Sequence, residues 1–169
     1  MNLDALDPVI LLPALAAGLL VLATHVPLGQ EVLRRGIVFI DLAIAQIAAL
    51  GVIVAYSFGW PPQGPGMQLA AAGAALLGGL ALSWSEKRWP ETQEALIGAS
   101  FVLAASASVL LLSHDAHAGE YLKDLLVGQI LWVSPSMLAG VAVVYAVVLA
   151  FWLGAGARLG RIGFYTMLA

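Results

Sequence analysis

Apolar and polar positions alternate along this chain on the scale of whole helices rather than of single residues. Five runs of about 17–25 residues, near 9–28, 37–58, 67–84, 95–112 and 135–153, consist almost wholly of Ala, Leu, Val, Ile, Gly and aromatics. A helix rises about 1.5 Å per residue and a bilayer's hydrocarbon core is about 30 Å thick, so roughly 20 such residues cross it. The pattern predicts an all-α polytopic transmembrane helix bundle, a single domain over 1–169, with about five spans. A half-apolar stretch, 121–133, precedes the fifth run, and the closing residues 162–169 read as the start of a sixth span. Pro13 falls in the opening turns of the first run, where it is tolerated, whereas Pro27 is expected to kink or end that helix. The Gly- and Pro-rich stretch 59–66 is expected to stop the second.

Composition sharpens this picture. The chain is 62% hydrophobic and 10% charged, against about 25% charged residues in a soluble domain. A solvated surface of ordinary size cannot be built from it. A net charge of −3 gives no electrostatic footprint for nucleic acid. The absence of cysteine excludes disulfides and thiolate metal sites. The first residues carry Asp4 and Asp7 and no basic side chain, the wrong charge for a signal peptide, so the first run is expected to be a retained membrane helix.

Charge placement predicts orientation. Arg34 and Arg35 follow the first run, Lys87 and Arg88 the third, Arg158 and Arg161 the fifth. Only Lys123, of seven basic residues, falls on the opposite set of loops. Cytoplasmic loops retain Lys and Arg, which puts the N-terminus outside and the C-terminus inside. Trp60, Trp84, Trp89, Trp132 and Trp152 stand near span ends, as interfacial anchors do. Gly73, Ala74, Ala75, Gly78 and Gly79 in the third run, and Gly98, Ala99, Ala104, Ala105, Ser106 and Ser108 in the fourth, predict close helix contacts.

All 17 charged residues but one fall in short polar gaps; the exception is Asp41, inside the second run. A carboxylate there needs a partner or a water-lined cavity. Two readings stand side by side: an interfacial acid paired with a basic residue, and a lining residue of a cation path. Arg34, seven positions earlier, is expected on the same helix face, about 10 Å back along the axis. Gln46, five positions on, is rotated about 140° from Asp41, so one regular helix cannot aim both into one pore. A bridging amide is the commoner use of such a glutamine. The loop after the fourth run holds His114, Asp115, His117 and Glu120, ligand types suited to Zn²⁺ or Mn²⁺ and equally common in plain hydrated loops. His25, alone near the end of the first run, reads as structural rather than as a ligand. No internal repeat, Walker or dinucleotide motif, Gly-x-Ser-x-Gly elbow or His-Glu-x-x-His motif occurs. A membrane-embedded metalloenzyme built on the His114–Glu120 cluster is the enzymatic alternative.

Two stretches carry a family resemblance. The first is Pro27-Leu28-Gly29-Gln30-Glu31-Val32-Leu33-Arg34-Arg35-Gly36-Ile37-Val38-Phe39, leading into a small-residue helix from Asp41 to Gly51. The second runs from Glu91-Thr92-Gln93-Glu94-Ala95-Leu96-Ile97-Gly98-Ala99-Ser100-Phe101 through Ser113-His114 to Leu125-Leu126-Val127-Gly128-Gln129-Ile130-Leu131. Their order and spacing are similar to those of the permease subunits of the metal-ion (zinc, manganese, iron) ABC-3 family of ABC importers. The resemblance implies a multi-pass protein of the bacterial inner membrane that binds no cofactor, has no ATP site of its own and carries a divalent metal cation. It implies as partners a cytoplasmic ABC ATPase, an extracytoplasmic metal-binding protein and a second permease copy, besides the lipid bilayer, and no nucleic acid. Family members carry Gly-Asp-x-x-x-His in the second helix; aligned on Gly51, this chain has Leu42 at the Asp, Gln46 at the His and Asp41 at the preceding Gly. Asp41 and Gln46 become candidates for the metal path, and His114, Asp115, His117 and Glu120 for its entrance. The segment with Arg158 and Arg161 is similar in place to the one that docks on the ATPase. Family permeases are longer, so the chain is expected to be an N-terminal portion; a non-transporting assembly partner is the other reading of that length.

Overall fold

The computed structural model describes residues 8–61, 64–113 and 133–151. They form five α-helices, α1 (Pro8–Arg35), α2 (Ile40–Ser57), α3 (Pro65–Arg88), α4 (Gln93–Leu112) and α5 (Pro135–Phe151), with a 3-10 turn at Pro90–Thr92 before α4. Among the described residues there is no strand. Four of the helices are long and apolar enough to cross a membrane: α1 from Leu11 to Arg35, α2, α3, and α4 together with its 3-10 turn. The fifth, α5, is apolar and 17 residues long. The expected start of a sixth span lies outside the described residues.

Pro27 does not end α1, one of the two outcomes expected from the sequence. The helix runs 28 residues, through Pro13 and Pro27, about 42 Å at the α-helical rise. A rod longer than the hydrocarbon core carries its last turns, with Glu31, Arg34 and Arg35, beyond the greasy layer. Membrane helices tolerate proline because nearby side chains re-satisfy backbone groups. Pro27 removes the N–H that would bond the Ala23 carbonyl; Thr24 Oγ1 donates to a different one, that of Val21, at 3.0 Å.

What stops α1 is Gly36, in the left-handed region at φ 71°. The Gly36 N–H donates to the Leu33 carbonyl at 3.2 Å and the Ile37 N–H to the Val32 carbonyl at 3.4 Å. These two bonds define a Schellman end, whose accompanying apolar contact is expected between the same outer residues. Val32 and Ile37 are indeed both buried in one core cluster. The device recurs at α2, where Gly59 has φ 79°. There the Gly59 N–H donates to Tyr56 at 2.8 Å and the Trp60 N–H to Ala55 at 3.2 Å.

The core is centred on α2, which packs against both α3 and α4. Ile40, Ile53, Ile97 and Ser108 are fully buried there. Small residues permit the approach, at fewer positions than their number suggested. A Cβ on Gly51 would collide with Ala74 and lie 2.8 Å from the Ala70 carbonyl oxygen, and one on Gly78 would lie 2.9 Å from Ile47 Cδ1. Gly73 and Gly98, also expected at contacts, have nothing within 4 Å of such a Cβ. Ala75, Gly79, Ala104 and Ser108 are buried as expected.

The turn between α3 and α4 is tied by a buried amide. Gln93 Nε2 donates to the Leu82 carbonyl at 3.0 Å, and its Oε1 accepts from Ser85 Oγ at 2.8 Å. The first helix stands apart from this block and packs chiefly on α5. Its large residues Leu12, Leu15, Leu19 and Leu22 are exposed, as a lipid-facing surface requires.

Candidate functional site

Between α1, the start of α2 and α5 lies a cavity of about 550 Å³. Its polar lining is Thr24 and His25 from α1, Asp41 from α2 and Tyr145 from α5, set among Val and Leu side chains. A water molecule occupies about 30 Å³, so the cavity has room for an ion with its hydration shell.

The structure revises the setting of Asp41. Its helix begins at Ile40 and takes Phe39 as N-cap, so Asp41 stands in the first turn, not deep inside a span. A carboxylate there faces the positive end of the helix dipole, worth about 0.3–1 kcal/mol at an exposed position. The expected helix face shared with Arg34 is overturned as well. Gly36 breaks the chain between them, and Arg34 belongs to α1, where it bonds Glu31. Gln46 is half-buried and does not line the cavity. The structure therefore brings Asp41, and not Gln46, to the cavity wall.

His25 is the residue that sequence reasoning undervalued. Its Nδ1 lies 3.0 Å from the Val21 carbonyl and 3.1 Å from Thr24 Oγ1. A carbonyl only accepts, so Nδ1 is the donor in this bond and Nε2 is the ring nitrogen not engaged by it. Histidines that ligate metals are commonly fixed in this way, by donation of the other N–H to a backbone carbonyl. The Tyr145 ring stands 6.5 Å from the imidazole, centroid to centroid. A signal was present in the sequence: an imidazole ten residues before Arg35 on an otherwise apolar rod. Only the packing of α1 on α5 turns it into a cavity residue. Among the described residues no three His, Cys, Asp or Glu side chains gather as a metal cage. His25 and Asp41 supply the imidazole and the carboxylate of the cavity lining. His114, Asp115, His117 and Glu120, and the expected coupling residues Arg158 and Arg161, lie outside the described residues.

Near the cavity, where α1 turns into α2, charged side chains join α1 to α3. Arg35 Nε donates to Glu31 Oε1 at 2.7 Å within α1, and Arg35 NH1 lies 3.5 Å from Glu86 Oε1 on α3. All three side chains are 14–19% exposed. Removing one member of a fully buried ion pair costs about 3–5 kcal/mol, because the partner is left uncompensated. With this residual exposure, Arg35→Gln is expected to destabilise by somewhat less, about 2–3 kcal/mol. The check is the midpoint of denaturant unfolding in detergent. A change below about 0.5 kcal/mol would mean that the relay behaves as an ordinary surface network.

A bundle with four helices long and apolar enough to cross a membrane defines a class: a multi-pass membrane protein. The sequence profile of the ABC 3 transport family matches residues 8–164, nearly the whole chain. The chain belongs to that family, and it is a transport component, a permease, of an ABC transporter. No curated protein gives a significant match. Nor does any solved structure.

Proposed function

We propose that this chain is the permease subunit of an ABC importer for a divalent metal cation such as zinc or manganese. The observation that carries the reading is the cavity, in a member of this family, whose lining holds an imidazole from α1 and a carboxylate from α2. Imidazole and carboxylate together suit first-row divalent cations. Two ligands with water completing the shell bind weakly enough to release, which transport requires.

In this reading Asp41 and His25 line the path, and the residues His114, Asp115, His117 and Glu120 stand near its outer entrance. The orientation follows the positive-inside rule: N-terminus outside, with the elbow at Gly36 and the α3–α4 turn on the cytoplasmic side of a bacterial inner membrane. The cavity then belongs to the inner half of the path. A cytoplasmic ATPase supplies the energy, with Arg158 and Arg161 in the segment it drives; an extracytoplasmic protein delivers the metal, and a second permease copy completes the pore.

The test is uptake of radioactive Zn²⁺ and Mn²⁺ by cells that lack their own importers and express this chain with the ATPase and binding-protein genes that neighbour it. Uptake at least tenfold above the vector control, lost when the ATPase's phosphate-binding lysine is replaced, is the expected result. Uptake at control level for both metals would refute the metal importer.

A further inference from the structure

The first turn of α2, which presents Asp41 to the cavity, has no cap of its own. Phe39 sits at the N-cap and makes no side-chain capping bond. In a capping box the residue three positions on reaches back with a Glu or Gln to the N-cap N–H. Here that residue is Leu42, which cannot. The Phe39 N–H is satisfied from another helix instead: it donates to Glu94 Oε1 at 3.3 Å, across 55 residues of sequence. The second carboxylate oxygen, Oε2, is buried and has no hydrogen-bond partner among the described residues. Glu94 is half-buried, with one oxygen on the Phe39 amide and the other out of contact with solvent.

We infer that Glu94 is a positioning residue: from α4 it supplies the missing capping-box acid of α2 and so fixes the turn that carries Asp41 in the cavity wall. Its neighbour Gln93 ties the same end of α4 to α3 through Leu82 and Ser85. Arg35, on the other side of the elbow, reaches Glu86 of α3. The segment between Arg35 and Phe39 is thus held at both ends by the α3–α4 turn, and a displacement of that turn moves the Asp41 turn with it. The effect on uptake rests on the reading of Asp41 as a path residue; the capping role itself does not.

The chain has no cysteine, so one placed at Val38, an exposed residue of the cavity lining, reports on this turn alone. In the full-length protein carrying Val38→Cys, the rate of labelling by a fluorescent maleimide is compared for Glu94→Gln, Glu94→Asp and Glu94→Ala. Gln keeps an acceptor oxygen at the same reach; Asp keeps the charge but is one methylene too short. A hydrogen-bonding cap predicts labelling within twofold of the parent for Glu94→Gln and at least threefold faster for Glu94→Asp and Glu94→Ala. The two conservative variants decide the matter even where the alanine variant fails to fold. Parental rates in Glu94→Asp, or equal acceleration in Glu94→Gln and Glu94→Asp, would overturn the assignment. Zn²⁺ uptake measured on the same variants separates the two readings. Labelling that follows the predicted order while uptake stays at the parental level in every variant leaves the cap standing and removes Asp41 from the path; no uptake by the parent itself refutes the metal reading and leaves the cap standing.

Discussion

Replacing Gly51 by leucine is expected to prevent α2 and α3 from closing and to leave little folded protein in detergent. The reason is the character of the obstacle. Even a single Cβ at Gly51 meets Ala74 and comes 2.8 Å from the carbonyl oxygen of Ala70, and a helix backbone cannot yield as a side-chain tip can. Overpacking of a tight core costs about 1–3 kcal/mol when side chains can readjust. With backbone in the way, the upper end of that range or beyond is expected for Gly51→Leu. Gly78→Ala provides the internal comparison. The atoms it meets belong to the Ile47 side chain, Cδ1 at 2.9 Å and Cγ2 at 3.0 Å; Cδ1 can turn about χ2 while Cγ2 is held by the stiff χ1 of a β-branched residue, so its cost is expected at about 1–2 kcal/mol. Gly73→Ala, with open space around the new Cβ, is expected to be neutral or slightly stabilising, since alanine exceeds glycine in helix propensity by about 1 kcal/mol. Thermal unfolding of the three purified variants gives the order directly. Equal losses for Gly51→Leu and Gly73→Ala would mean that the α2–α3 contact is not as drawn.

Asp41→Asn is expected to lower divalent-metal uptake at least tenfold while leaving the amount of folded protein unchanged. The two halves of that expectation have separate origins. The side chain is exposed, so the change removes no buried pair. Asparagine loses only the charge–dipole term of a first-turn carboxylate, about 0.3–1 kcal/mol. What the amide does lose is the anionic ligand facing the cavity, and a hard divalent cation prefers carboxylate to amide oxygen. Uptake within twofold of the parent would reduce Asp41 to the interfacial acid that its place in the first turn of α2 also allows. Gln46→Ala, off the cavity wall, is expected to change uptake less than Asp41→Asn does. The reverse order would shift the path to the α2 face that Gln46 occupies.

Several elements were legible in the order of residues. Apolar runs of bilayer length marked every described helix, because a chain with so few charges has no other way to satisfy its backbone than to coil into lipid. The stop after α2 was legible at Gly59, where a glycine follows the last apolar turn. Gly36 was the same signal and passed unread, because Ile37 and Val38 after it look like the beginning of the next span. That oversight carried Asp41 too deep and put Arg34 on its helix face: a face shared seven residues apart exists only where the helix is unbroken. The small residues of α3 and α4 were visible as candidates for contact, yet a count of glycines does not say which of them a neighbouring helix approaches. That depends on rotation about the helix axis, to which Ala-rich sequences with little amphipathic contrast give no guide.

From the sequence by itself came the membrane, the family and the identity of the one carboxylate outside the polar gaps, since these depend on local composition and on order along the chain. Only the tertiary structure decided that His25, read as structural, shares a cavity with Asp41, and that the first turn of α2 is capped by Glu94 from a different helix. Both are contacts between distant segments, and their geometry is set by how whole helices pack, a relation that no local pattern of residues encodes.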